Sequence, residues 1–132
     1  MTRYTVDAAT LLRIIREDVP MSAEHRLVGP AAIRSEVLSL LYAAVRAGEL
    51  DERAARDQLE KLAGVKIRLL GDRVSRSVAW KLANQLGLSD TAPAEYLAVA
   101  TLQSDALIAG DPALRAAAKG LVPIARFEDL SP

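Results

Sequence analysis

Cysteine is absent from the 132 residues, which excludes disulfides and thiolate metal sites and fits a reducing cytoplasm. Histidine occurs once, as His25, so a histidine-rich metal centre is excluded, and a serine–histidine–acid triad would have to be built on that residue. Its simplest place is a loop or strand edge. Net charge is also missing: 17 lysines and arginines balance 17 aspartates and glutamates. Binding nucleic acid by bulk electrostatics is thereby disfavoured, while a local basic patch stays open. No apolar run approaches the roughly 20 residues of a membrane span. The start, "MTRYTVDAATLLRII", has no apolar core followed by a small-residue cleavage site, so no signal peptide is expected. A soluble cytoplasmic protein with no membrane partner is the expectation. A Gly-rich phosphate loop is lacking too, which ranks a small-molecule α/β binding protein low.

What is present is enough apolar sequence, 51% of residues, for one compact domain over 1–132 with a real core. Tyr4-Thr5-Val6 reads as a strand running into a helix marked by Leu11, Leu12, Ile14 and Ile15. "HRLVGP" (25–30) reads as a second strand. The long helix that follows puts Ile33, Val37, Leu40, Leu41 and Ala44 on one face and closes near Gly48. Asp51 opens a further amphipathic helix, so 31–64 forms a helical hairpin inserted between strands. "VKIRLL" (65–70) is the third strand. A helix with Val74, Val78, Leu82 and Leu86 at four-residue spacing then runs to a stop at Gly87. "APAEYLAVATLQS" is another helix, "DALIAG" a fourth strand, Asp111-Pro112 a helix start, and "LVPIA" (121–125) a short last strand. Alternating strands and helices imply a three-layer α/β/α fold around a mostly parallel sheet of about five strands.

In such a sheet, ligands bind beyond the carboxyl ends of the strands. Asp7 follows the first strand and Asp111 follows the fourth, while Glu36 lies on the flank of the long helix's apolar stripe. Gathered carboxylates repel unless a cation joins them, and hard oxygen ligands suit Mg²⁺ or Mn²⁺. Such a cluster supports phosphodiester cleavage. Each acid also has a structural reading: Asp7 and Asp111 as helix N-caps, and Glu36 as a solvated side chain. Lys66, Arg68, Arg73, Arg76 and Lys81 gather around the third strand and the helix after it. They read first as a solvated face and second as RNA phosphate contacts. Trp80, between Val78 and Leu82, reads as core or dimer interface ahead of a base-stacking platform.

"TVDAATLL", "IRSEVLSLLYAAVRAGEL", "AEYLAVATLQSDALIAGDPAL" and "LVPIARFEDL" together resemble the PIN-domain family. The likeness is to the VapC-type toxins of bacterial type II toxin–antitoxin pairs, the actinobacterial ones in particular, and covers nearly the whole chain. It implies a single PIN-like domain, usually a homodimer, with Mg²⁺- or Mn²⁺-dependent endoribonuclease activity on an RNA substrate. It also implies a small cognate antitoxin as partner. The family site holds four acids, and Asp7, Glu36 and Asp111 match three as catalytic metal ligands. The third family acid would fall three residues before Tyr96, where this chain has Pro93. Ala109 stands where threonine is usual, and Gly110 where a larger residue is usual. Asp90 is the candidate to replace the lost ligand, since Glu95 should be rotated away on the helix. Two readings remain: a ribonuclease with an altered site, and a catalytically degenerate binding module on the same fold.

Overall fold

Four short strands lie parallel in one sheet: β1 (Thr2–Val6), β2 (His25–Pro30), β3 (Arg68–Leu70) and β4 (Ala106–Ile108), in the order β3-β2-β1-β4. The computed structural model describes all 132 residues. Between the strands run six helices: α1 (Ala8–Glu17), α2 (Ile33–Arg46), α3 (Glu52–Ala63), α4 (Arg73–Leu86), α5 (Ala92–Gln103) and α6 (Pro112–Ala118). The chain moves from β1 to β2 to β3 in one direction, then returns across the sheet to β4. Right-handed crossovers therefore put α1, α2 and α3 on one face and the α4–α5 pair on the other. The α/β/α layering and the inserted α2–α3 hairpin are as the sequence implies.

The sheet has four strands rather than five. "LVPIA" contributes only an isolated parallel bridge, Ile124 to Leu107. Pro123 has no N–H to donate to a ladder, which confines this segment to a single contact at the edge of β4. The third strand is also shorter than "VKIRLL". Its pairing begins at Val28 with Arg68. Continuing that register by two residues would set Lys66 opposite Arg26, which already faces Arg3 across β1 and β2. Like charges directly opposite are unfavourable, and Lys66 would add a third cation to the Arg3–Arg26 row.

Local chemistry sets the helix starts. Asp7, Asp51, Asp72 and Asp111 each hold extended backbone and accept an N–H from the first turn of α1, α3, α4 and α6 respectively. Gly87 ends α4 in the left-handed region at φ 65°, which glycine adopts without a Cβ penalty. α5 is apolar nearly all round, with Ala94 and Tyr96 through Ala100 buried. Such a helix belongs inside, and α5 packs on β1, β2 and α4. The core joins Val6, Leu11, Leu27, Ile33, Val37, Leu41, Leu97 and Leu107.

Two apolar side chains of α4 lie outside the core. Trp80 is 67% exposed and Val74 58% exposed, so neither belongs to the core. The buried stripe of α4 is made instead of Ser75 and Ala79, with Val78 and Leu82 packed beside them. Small residues here let α4 approach α5 closely, and Trp80 falls on the far side. Leu40 is 41% exposed because it lines an open cleft rather than the core.

Candidate active site

The strand order reverses between β1 and β4, and this is where an open parallel sheet opens a crevice at its carboxyl ends. Asp7 directly follows β1 there, and Ala109, Gly110 and Asp111 directly follow β4. A cleft of about 520 Å³ occupies the spot, within the size range of small-ligand sites. Asp7, Glu36 and Asp111 all line it, together with Ser35, Ser39, Leu40, Pro93, Tyr96 and Leu114. The three acids matched from sequence thus reach one site, and Pro93, at the position of the lost fourth, reaches it too.

Asp7 is 3% exposed, yet its carboxylate is well satisfied. Thr10 N–H donates to Oδ1 at 2.8 Å, Gly110 N–H to both oxygens at 3.0 Å, and Asp111 N–H to Oδ2 at 2.9 Å. Fixed amide dipoles replace the water this charge has lost, so a buried carboxylate is tolerated. The same bonds explain Gly110. A Cβ there would stand 3.0 Å from the Cβ of Ala9, so a side chain at this position would press on α1 as the loop brings its amide onto Asp7. Ala109 is buried behind it.

Glu36 is half-buried in the first turn of α2. Its Oε2 accepts the Tyr96 hydroxyl at 2.6 Å, a short charge-assisted bond. Burial pushes the Glu36 carboxyl above the ordinary glutamate range, against the lowering effect of the Tyr96 bond. The negative charges of Glu95 and Asp7 add to the rise. Tyr96 is itself held far above the usual phenol range by burial and by its bond to Glu36, so it remains a donor. Sequence reasoning used Tyr96 only as a landmark. The signal was there: Tyr96 lies three residues after Pro93, so the two share a helix face.

Asp111 is exposed and accepts Ala113 N–H at 3.1 Å through Oδ1. Asp90 does not join the acids. It is exposed, lies outside the cleft, and accepts Ala92 N–H at 2.9 Å. Thr91 rather than Asp90 is the capping position of α5, and Pro93 sits harmlessly within its first turn. Glu95 does not line the cleft, but its charge reaches Glu36.

Oxygen-only donors of this kind suit a hard cation. No group of three or more acids or histidines is gathered closely enough to hold a metal ion by itself. One or two carboxylates, with water and phosphate completing the shell, is the most such a donor set could offer Mg²⁺. It does not fit a closed all-protein cage. Within that limit Asp7 and Glu36 line the inner part of the cleft, Asp7 buried and Glu36 half-buried, and the exposed Asp111 stands at the rim.

No protein-family model matches the chain, and no curated protein does. Among solved structures it is similar to the crystal structure of PAE2754 from Pyrobaculum aerophilum, with a TM-score of 0.75 and 26% sequence identity. That likeness covers 98% of this chain and 92% of the other. It extends over the whole α/β fold described above.

Proposed function

We propose that this protein is a divalent-metal-dependent endoribonuclease of the PIN-domain, VapC-like type, working in the cytoplasm under the control of a small antitoxin. The observation that carries this reading is the convergence of Asp7, Glu36 and Asp111 on one cleft at the sheet's switch point. Asp7 and Glu36 would hold Mg²⁺ or Mn²⁺, with Asp111 contributing from the rim. When bound, the cation offers Lewis-acid stabilisation of the charge that develops on a phosphodiester.

The chain's own residues supply position. Three backbone amides fix the Asp7 oxygens, and the Tyr96 hydroxyl fixes Glu36. The hydroxyls of Ser35 and Ser39 line the cleft and can donate to phosphate oxygens. Leu40, Pro93 and Leu114 form an apolar wall suited to a base or sugar face.

A second reading, a degenerate binding module on the same fold, is favoured by Pro93 in the cleft and by the absence of a three-acid cluster. The two separate by experiment. Asp111→Asn keeps a good helix cap while removing the charge, so the fold survives it. If the enzyme reading holds, Mn²⁺ raises the melting temperature, because a ligand that binds the native state stabilises it. RNA is then cleaved by the natural chain and markedly less by Asp111→Asn. Cleavage only after Pro93→Asp, with no metal-induced stabilisation of the natural chain, would establish the binding module instead.

A further inference from the structure

The only tryptophan of the chain stands in the middle of the solvent face of α4, 67% exposed. At about 100° per residue, Arg73, Arg76, Ser77 and Asn84 fall within roughly 60° of it, and Lys81 lies on the flank of that face. Arg73 and Lys81 form no salt bridge, and Arg76 donates to the Gly71 carbonyl at 2.7 Å beside the capping Asp72. No acid occurs between Arg73 and Leu86. In a chain of zero net charge, this concentrates cations around one exposed aromatic ring.

The loop that precedes this face packs beside one wall of the acidic cleft. Ala31 N–H donates to the Leu70 carbonyl at 2.8 Å, and a Cβ on Gly71 would lie 3.0 Å from the Ala31 Cβ. The loop that starts α4 is therefore packed against the residue next to Ala32, a wall of the cleft. The α4–α5 packing carries the rest of the helix away from that edge.

We infer that the Arg73–Trp80–Lys81 face of α4 is a platform for single-stranded RNA, on which a base stacks on Trp80 while Arg73 and Lys81 hold the flanking phosphates. This rests on the ribonuclease reading and adds where the strand lies beyond the cleft. Stacking on an exposed aromatic with cations alongside is how strands are held without reading their sequence. Charge decides against the other occupant, a second copy of this chain. A two-fold contact sets the same patch against itself, so the cations of one copy would meet a face that carries cations and no acid. A polyanion removes that repulsion.

A sole, exposed tryptophan makes the test direct. Short oligouridine is titrated into the Asp111→Asn protein with a chelator present, so that no strand is cut, and Trp80 fluorescence is followed. The expected result is saturable quenching whose apparent affinity falls with salt, by about 0.7 log units per log unit of salt for each phosphate held. Trp80→Ala should weaken binding, read by anisotropy of labelled oligouridine, by roughly tenfold or more, and Trp80→Phe by less. Trp80 is exposed, so both variants should keep the melting temperature of the parent. Unchanged affinity in Trp80→Ala, or oligouridine that binds without quenching, overturns the platform. So does a sedimentation mass that falls from dimer to monomer in Trp80→Ala, which would make the face an interface between copies. Failure of the ribonuclease reading is seen separately, as quenching by oligouridine with no cleavage by the natural chain in Mn²⁺.

Discussion

Removing the Tyr96 hydroxyl tests whether the site is held together as described. In Tyr96→Phe the ring stays in the core, and the backbone N–H of Ala8 loses its interaction with the phenol oxygen. Glu36 Oε2 also loses its 2.6 Å donor. A hydrogen bond to a charged group contributes about 1.5–3 kcal/mol when well shielded. Glu36 is only half-buried, and solvent screening brings the figure to about 1 kcal/mol, with the titration of its carboxyl displaced to match. The direction is upward. The bond to Tyr96 is the one influence that lowers the Glu36 carboxyl, so its loss leaves burial, Glu95 and Asp7 unopposed.

Linkage gives the matching stability effect. A carboxyl whose folded value is raised contributes stability that is fully present below its unfolded value, about 4.3, and is lost as pH rises through the folded one. The variant should therefore be destabilised by about 1 kcal/mol at neutral pH, or about 3–5 °C in Tm. The deficit should shrink once Glu36 is protonated in both proteins. The assay is a carbon-detected NMR titration of the Glu36 carboxyl in metal-free protein, with thermal melts across the same pH range. An unchanged or lowered Glu36 midpoint would refute the reasoning, because the hydroxyl would then not be stabilising the anion.

Other outcomes follow from the same contacts. Asp7→Asn replaces an acceptor of three amides by a group whose NH₂ faces donors, and should cost about 2–3 kcal/mol in urea unfolding. Gly110→Ala forces a Cβ to 3.0 Å from Ala9 and should cost about 1–3 kcal/mol in the same assay. Pro93→Asp puts a carboxylate into the cleft and should increase the rise in Tm caused by Mn²⁺, while lowering Tm slightly without metal through added repulsion. Leu97→Ala empties a fully buried site between α5 and the sheet and should cost about 2–5 kcal/mol.

The parts of this fold that sequence made legible are those where one local rule acts alone. Four helix starts are marked by aspartate, and β2 is bounded by His25 and Pro30 as its pattern implies. Where two rules compete, the pattern misleads. "VKIRLL" has strand composition throughout, but Lys66 would meet a file of cations on the neighbouring strands, a fact available only once register is known. Val74 and Trp80 have apolar character and fall off the buried stripe because Ser75 and Ala79 set how closely α4 meets α5. At the site, Asp7, Glu36 and Asp111 follow from where strands end and which helix face is flanking, while Pro93 follows only from the resemblance to the PIN-domain pattern. The Tyr96–Glu36 bond and the amide cradle around Asp7 follow from neither, since both join segments far apart in the chain.

The cradle around Asp7 changes what each acid can testify to. Its carboxylate fastens the end of β4 to the start of α1, so a lineage that abandoned catalysis would still be penalised for losing it. An aspartate at this position is therefore poor testimony for enzymatic work. Glu36 is the opposite case: its ionised form sits in surroundings that resist the charge. The fold alone would accept a neutral glutamine there at least as readily. On the ribonuclease reading Glu36 serves the site rather than the fold, and among relatives its replacement would report a loss of activity better than any change at Asp7.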